Sequence, residues 1–148
     1  MKLEGVRVID LSRFLPGPLA TQLMADQGAE VIKIESIDEG EPTRNIGAKR
    51  DGVSVYFANT QRGKKSLALD LKDPEGVEIL MRLAEKADVL IESFRPGVVD
   101  RLGIGYAQVS RRAPRIVYAS IAAFGQTGPY RELATHDLGT EALTGVLS

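Results

Sequence analysis

The chain has 148 residues, with 19 Lys and Arg against 20 Asp and Glu and a net charge of −1. That balance excludes the strongly basic face of a nucleic-acid binder, and no apolar run reaches the ~18–20 residues that span a bilayer. Cysteine is absent and His136 is the single histidine, so disulfides, thiolate nucleophiles and Cys-based or multi-histidine metal sites are excluded as well. Composition leaves room for an all-carboxylate Mg²⁺ or Ca²⁺ site, and no residues are assigned to one. Chemistry is left to carboxylates, one imidazole, Arg, Lys, hydroxyls and backbone amides. Met1 to Gly5 lead into a short apolar run, without the pattern of an export signal, and with the lack of cysteine this points to the cytoplasm.

Strand and helix patterns alternate along the chain. Val6 to Leu11 reads as a short buried strand, rich in β-branched residues. The turn Leu15-Pro16-Gly17-Pro18 opens a helix that runs to Gln27, with Leu19, Leu23, Ala20 and Met24 as its apolar stripe and Gly28 just past its end. Glu30 to Ile34 is a second strand, completing a βαβ unit. From Glu35 to Gly63 the periodicity fails, and Ser36 to Gly52 reads as a long surface loop of the kind that is more often functional than connective.

Ser66 to Asp70 is a third strand. Asp73 is placed to cap a helix with Pro74 at its first position, and Val77, Leu80, Met81 and Ala84 mark one apolar face through Lys86. Asp88 to Glu92 is the fourth strand and Arg115 to Ser120 the fifth, with one or two helical segments around Val98 to Arg112 between them. A last helical spacing runs from Leu138 to Ser148, through Ala142, Leu143 and Val146. The expected fold is α/β: a Rossmann-like, doubly wound and mainly parallel sheet of five to six strands with helices on both faces.

Such sheets bind ligands at the carboxyl ends of their strands. The loops Ser12 to Pro18, Glu35 to Arg44, Glu92 to Arg101 and Ile121 to Asp137 therefore carry the candidates. They bring Arg13, Arg44, Arg95 and Arg101, with Lys64 and Lys65 just before the third strand. Guanidinium and ammonium groups around loop amides suit a phosphate-bearing ligand, although each could equally be a solvated surface charge.

Two phosphate motifs are absent. Arg13-Phe14-Leu15-Pro16-Gly17-Pro18 is not G-x-G-x-x-G, and Arg62-Gly63-Lys64-Lys65-Ser66 precedes a strand and lacks the first glycine of a Walker A loop. His136 follows a glycine-containing loop, Phe124-Gly125-Gln126-Thr127-Gly128-Pro129-Tyr130, after the fifth strand. An imidazole there can serve as a general acid or base, or be merely structural or exposed. Asp137 is best placed to cap the last helix.

Four segments, in order, carry a family resemblance. They are Val8-Ile9-Asp10-Leu11-Ser12-Arg13 through Pro18; Gly28-Ala29-Glu30-Val31-Ile32-Lys33-Ile34-Glu35; Ala87-Asp88-Val89-Leu90-Ile91-Glu92-Ser93-Phe94-Arg95-Pro96-Gly97; and the Phe124 to Tyr130 loop. Together they make the chain resemble the N-terminal part of the family III CoA-transferases, whose superfamily also holds the α-methylacyl-CoA racemases. The resemblance implies that residues 1–148 are a CoA-binding Rossmann-like part of a larger enzyme, with the second domain and return segment beyond this chain.

It further implies CoA or acyl-CoA as the partner, no permanently bound cofactor, and an interlocked homodimer. By position, the CoA-contacting residues are Lys64, Ser93, Phe94, Arg95, Arg101, Gly125 and Asp137, with Arg95 and Arg101 on the phosphates. One position departs from the family: Ser36 stands where many members have an Arg after the acid ending the second strand, so contacts at that edge depend on Arg44.

The superfamily contains two chemistries. Transferases use an aspartate that attacks the acyl-CoA. Racemases remove and restore the proton α to the thioester with a His and an Asp on opposite faces. Thr135-His136-Asp137 matches the racemase run, where many transferases have a tyrosine, so His136 tilts the expectation to acid/base chemistry. By analogy, the catalytic aspartate of either chemistry lies beyond Ser148. The alternatives are a stand-alone CoA- or nucleotide-binding module and an inactive fragment.

Overall fold

The structure, a computed structural model, describes residues 1–147. Its strands are β1 (Arg7–Leu11), β2 (Glu30–Glu35), β3 (Lys49–Arg50), β4 (Val53–Ser54), β5 (Lys65–Ala68), β6 (Val89–Glu92) and β7 (Val117–Ser120). Its helices are α1 (Pro16–Asp26), α2 (Val55–Gln61), α3 (Pro74–Ala84), α4 (Val98–Arg101), α5 (Tyr106–Arg112) and α6 (Asp137–Thr144), with a 3₁₀ turn at Pro42–Asn45. Five strands form one parallel sheet in the order β5-β2-β1-β6-β7, and β3 and β4 form a separate antiparallel hairpin. The chain winds outward from β1 through β2 to β5, then returns to β6 and continues to β7, as a doubly wound sheet does.

Side chains alternate across the sheet and divide the core in two. Ile9, Leu11, Ile34 and Leu90 pack with Leu80, Met81 and Ala84 of α3 and with Val99, Ile104 and Val109 on the α4–α5 side. Val8, Val31 and Ile91 face the other way, against Met24 and Ala25 of α1. The capping expected at α3 is present: Asp73 Oδ1 accepts from the amide of Glu75 at 2.8 Å, and Pro74 opens the helix. No described helix is long and apolar enough to cross a membrane.

The face beneath α1 is not purely apolar. Asp10 and Lys33 are cross-strand partners on β1 and β2, and both side chains are buried there. Lys33 Nζ lies 3.0 Å from Glu41 Oε2 and 3.7 Å from Asp10 Oδ1, and it also donates to the carbonyl of Ser12. Lys64 Nζ reaches Asp10 Oδ2 at 3.0 Å, the Pro18 carbonyl at 2.8 Å and Gln61 Oε1 at 3.0 Å. Thr21 Oγ1 donates to Asp10 Oδ2 at 2.6 Å, and the Ser12 hydroxyl also donates to Asp10. Burial opposes ionisation of Asp10, yet Lys33, Lys64 and the two hydroxyls outweigh it and hold the carboxyl below the ordinary range.

This network turns part of the stripe expected for α1 outward, although Met24 packs on the core and Ala20 is half-buried. Leu19 and Leu23 are exposed, and the buried residues are Gly17, Pro18, Thr21 and Gln22. The helix must present a hydroxyl to Asp10, and the leucine stripe lies on another side of the cylinder. Gly17 is fixed by the same packing, because a Cβ there would stand 2.2 Å from the Ser12 side chain. The stretch expected to be an open loop is also more structured than its periodicity suggests. It holds the 3₁₀ turn and an Asp51-Gly52 hairpin turn with φ of 51° and 82°, and α2 follows it, capped by the Ser54 hydroxyl, which accepts from the amide of Phe57 at 3.2 Å. Helix α6 stops at Thr144, short of the expected end at Ser148, which lies outside the described residues.

Removing one partner from a buried ion network strands the others. Lys33→Met leaves Glu41 without its ammonium and should lose about 3–5 kcal/mol of stability. Urea unfolding checks this, and Lys33→Met combined with Glu41→Gln should recover part of the loss. A single-variant loss under about 1 kcal/mol would mean that the pair behaves as a solvated one.

Candidate functional site

The two halves of the sheet diverge between β1 and β6, where Leu11 and Glu92 are register partners. The loops that leave these strands are clasped together. The amide of Arg13 donates to Ser93 Oγ at 2.8 Å, and the Arg13 guanidinium stands 5.6 Å from the centroid of the Phe94 ring. The amide of Phe94 donates back to Glu92 Oε2 at 2.8 Å. Glu92 is buried, and its burial pushes the carboxyl above the ordinary range, with Asp100 adding to the effect; the Ser120 hydroxyl and the Phe94 amide oppose it.

A cleft of about 240 Å³ opens at this carboxyl edge, with Arg13, Ser36, Leu69, Phe94 and Val98 among its walls and the acids Glu35, Asp38 and Asp70 on its rim. A wider one of about 520 Å³ adjoins it, lined by Pro74, Val77, Glu78 and Arg101, and the two share Leu71, Lys72 and Leu102. Among the described residues, Arg13, Lys72 and Arg101 have no carboxylate within ion-pair distance. Glu78, the acid on the wider cleft, is paired with Arg112 at 2.5 Å.

The acid that ends β2 is already occupied. Glu35 accepts from Arg44 Nε and Nη2, both at 2.8 Å, from the Ser66 hydroxyl at 2.7 Å and from the amide of Glu41 at 2.8 Å. Hydrogen bonding from Arg44 is the largest influence, and against the opposing effect of burial it brings the carboxyl down to about 2. The guanidinium also lies 4.0 Å from the centroid of Phe57. Arg44 is therefore paired with Glu35, although its side chain stays 42% exposed at the edge where Ser36 stands.

Other expected residues separate by place. Ser93 and Phe94 lie in the clasp, and Arg101 lines the wider cleft. Arg95 is exposed and lines neither cleft, whereas Arg101 lines the wider one. Lys64 is corrected more strongly: its side chain is 1% exposed and its three donors are taken by Asp10, Pro18 and Gln61, which leaves none for a ligand. Gly125 takes a left-handed φ of 74° in an exposed turn and lines neither cleft. Asp137 caps nothing with its side chain: the N-cap position falls on His136, and Asp137 is the first residue of α6, where its charge meets the positive end of the helix. His136 is exposed, and its ring packs edge-on against Phe14, 5.9 Å between centroids.

Comparison with known proteins decides the lineage. Residues 3–148 match CoA-transferase family III. The chain belongs to this family. Human succinyl-CoA:glutarate CoA-transferase is 43% identical over 146 residues, which cover 98% of this chain and 33% of that protein. Human alpha-methylacyl-CoA racemase is 40% identical over 148 residues, covering 100% and 35%. Among solved structures, a CAIB/BAIF family protein from Brucella suis superposes with a TM-score of 0.91 at 39% identity, covering 97% of this chain and 39% of that one. The chain thus spans about a third of the length of the curated relatives it matches.

In this family III chain, the cleft residue that sequence reasoning missed is Lys72. The expected ligand loops omitted the one after β5, although the carboxyl-edge rule covers it equally. Glu41 was missed for a different reason, because nothing in a polar stretch marks which acid turns inward.

The Glu35–Arg44 pair yields a pH test. The folded-state pKa of Glu35 is depressed from an ordinary 4.5 to about 2, so its contribution is complete above pH ~5 and fades as the pH falls toward 2. Because the Arg44 side chain is 42% exposed, solvent screening reduces that contribution to about 1–2 kcal/mol. Urea midpoints measured from pH 7 to pH 2 should therefore fall less steeply for Glu35→Gln than for the parent. Parallel curves would show that the pair carries no acid-linked stability.

Proposed function

We propose that residues 1–148 are the CoA-binding, Rossmann-like N-terminal part of a larger enzyme acting on CoA thioesters. The observation that carries this reading is electrostatic. Lys33, Lys64 and Arg44 are consumed by internal acids, whereas Lys72 and Arg101 converge on one cleft without an acidic partner among the described residues. Unpaired cations beside the carboxyl edge of a doubly wound sheet suit the phosphates of CoA. Phe94, Leu71 and Leu102 would give the adenine an apolar wall. Ser93 fixes the loop that carries Phe94, and Gly125 and Asp137, which line neither cleft, would meet the thioester end of the ligand outside them. Arg95 would add only long-range attraction from outside the clefts.

His136 is the acid/base candidate. Its imidazole would take the proton α to the thioester carbonyl, the electron pair passing to the carbonyl oxygen as an enolate. A protonated carboxyl group from outside this chain would deliver a proton to the opposite face and be left as the carboxylate. CoA transfer between carboxylates is the second reading, favoured by the likeness to succinyl-CoA:glutarate CoA-transferase, and it uses the same CoA cleft. A homodimer in the cytoplasm belongs to this proposal. Helix α6 buries no side chain, and Leu19 and Leu23 face outward, so apolar surface is there for a subunit contact.

Calorimetric titration of CoA into the chain, with adenosine as control, tests the proposal. Saturable binding is expected. Losing one charge-assisted contact at about 1.5 kcal/mol corresponds to roughly tenfold weaker binding for Arg101→Ala or Lys72→Ala, and Arg95→Ala should change it less than about threefold. No binding by a folded sample, or equal affinity for CoA and adenosine, would overturn the assignment of the cleft.

A further inference from the structure

We propose that Phe14 is the positioning residue for His136, holding its imidazole against the turn whose Arg13 lines the cleft; this rests on the reading of His136 as the acid/base. Phe14 has φ of 64° and is one of two non-glycine residues with positive φ among those described, the other being Asp51 in the hairpin turn. Aspartate accepts that conformation readily, whereas a bulky residue is strained in it. Glycine would take the position without strain, so the phenyl ring is what distinguishes this choice of residue.

Two neighbouring amides clamp the strained turn. That of Phe14 donates to Glu41 Oε1 at 2.9 Å, and that of Arg13 to Ser93 Oγ at 2.8 Å. Glu41 is itself buried and held by Lys33 at 3.0 Å, so the turn is anchored in the ion network beneath α1. The clamp presents the ring to His136 at an interplanar angle of 81° with 5.9 Å between centroids. This is an edge-on geometry that aromatic pairs favour.

The histidine has little else to orient it. Its backbone is fixed at the head of α6, where its carbonyl accepts from the amides of Gly139 at 3.1 Å and Thr140 at 3.2 Å. Its ring nitrogens have no hydrogen-bond partner among the described residues, which leaves both free for a proton on a ligand. Arg13, next to Phe14, lines the cleft, so the turn that supports one wall of the cleft also supports the imidazole.

His136 is the single histidine, so its imidazole can be followed by NMR without assignment ambiguity. Phe14→Gly removes the ring while suiting the left-handed backbone, and Phe14→Tyr keeps the ring. In the ligand-free parent and in Phe14→Tyr, cross-peaks between the two rings are expected. In Phe14→Gly the imidazole resonances should move toward those of free histidine, and carbethoxylation by diethylpyrocarbonate should become severalfold faster. Its urea midpoint should not fall, and Phe14→Asn, which also tolerates this φ, should repeat the result if the glycine variant folds poorly. Unchanged imidazole resonances and reactivity in the folded variants would overturn the proposal.

Acetyl-CoA links the contact to the site. It should perturb the imidazole in the parent and in Phe14→Tyr but not in Phe14→Gly, while CoA affinity stays within about twofold across the three. An equal perturbation in Phe14→Gly would overturn positioning by Phe14. A parent that holds the ring contact but binds no CoA would instead count against the CoA cleft.

Discussion

Everything at the carboxyl edge rests on a charged cluster buried beneath the first helix. Asp10 and Glu41 balance Lys33 and Lys64, and the hydroxyls of Ser12 and Thr21 satisfy Asp10 further. Buried ions are tolerated only when paired and hydrogen-bonded, so each group constrains the others. The cluster joins β1, β2, the start of α1, the segment before the 3₁₀ turn, and the residue entering β5. These elements are distant in sequence, and they include the turns that shape the cleft.

Inward pairing also sets the outward charge. Where Lys33, Lys64 and Arg44 meet acids, their charge is neutralised locally and offers nothing to a ligand. Lys72 and Arg101 are not neutralised in this way and face a shared hollow. A phosphate there would meet cations that already lie beside the cleft, without having to separate them from internal partners. The same logic distinguishes the site from a dinucleotide fold, in which the acid ending the second strand reaches a ribose hydroxyl. Here Glu35 is saturated by Arg44, Ser66 and the amide of Glu41.

Strain follows from the same source. The turn after β1 must bring the Arg13 amide to Ser93 and the Phe14 amide to Glu41, and the backbone meets both demands by taking Phe14 into the left-handed region. A buried carboxylate that is itself held by Lys33 keeps that conformation in place. The ion network, the rim of the cleft and the surroundings of the one imidazole therefore form a single mechanical unit.

The amino-acid sequence by itself determined the alternation of strands and helices, the parallel α/β class, the Asp73–Pro74 start of α3 and the family motifs. These depend on local pattern: β-branched runs, caps, and apolar spacing such as Leu80, Met81 and Ala84. Only the tertiary structure decided which face of α1 turns inward, because the preference of Thr21 for Asp10 over burial of Leu19 and Leu23 arises from a strand partner outside the helix. Tertiary structure likewise decided that Lys64 and Arg44 serve the interior while Lys72 lines the cleft. A cation's role depends on which acids fold against it, and for Lys64 that acid lies far along the chain: Asp10 and Lys64 are 54 positions apart.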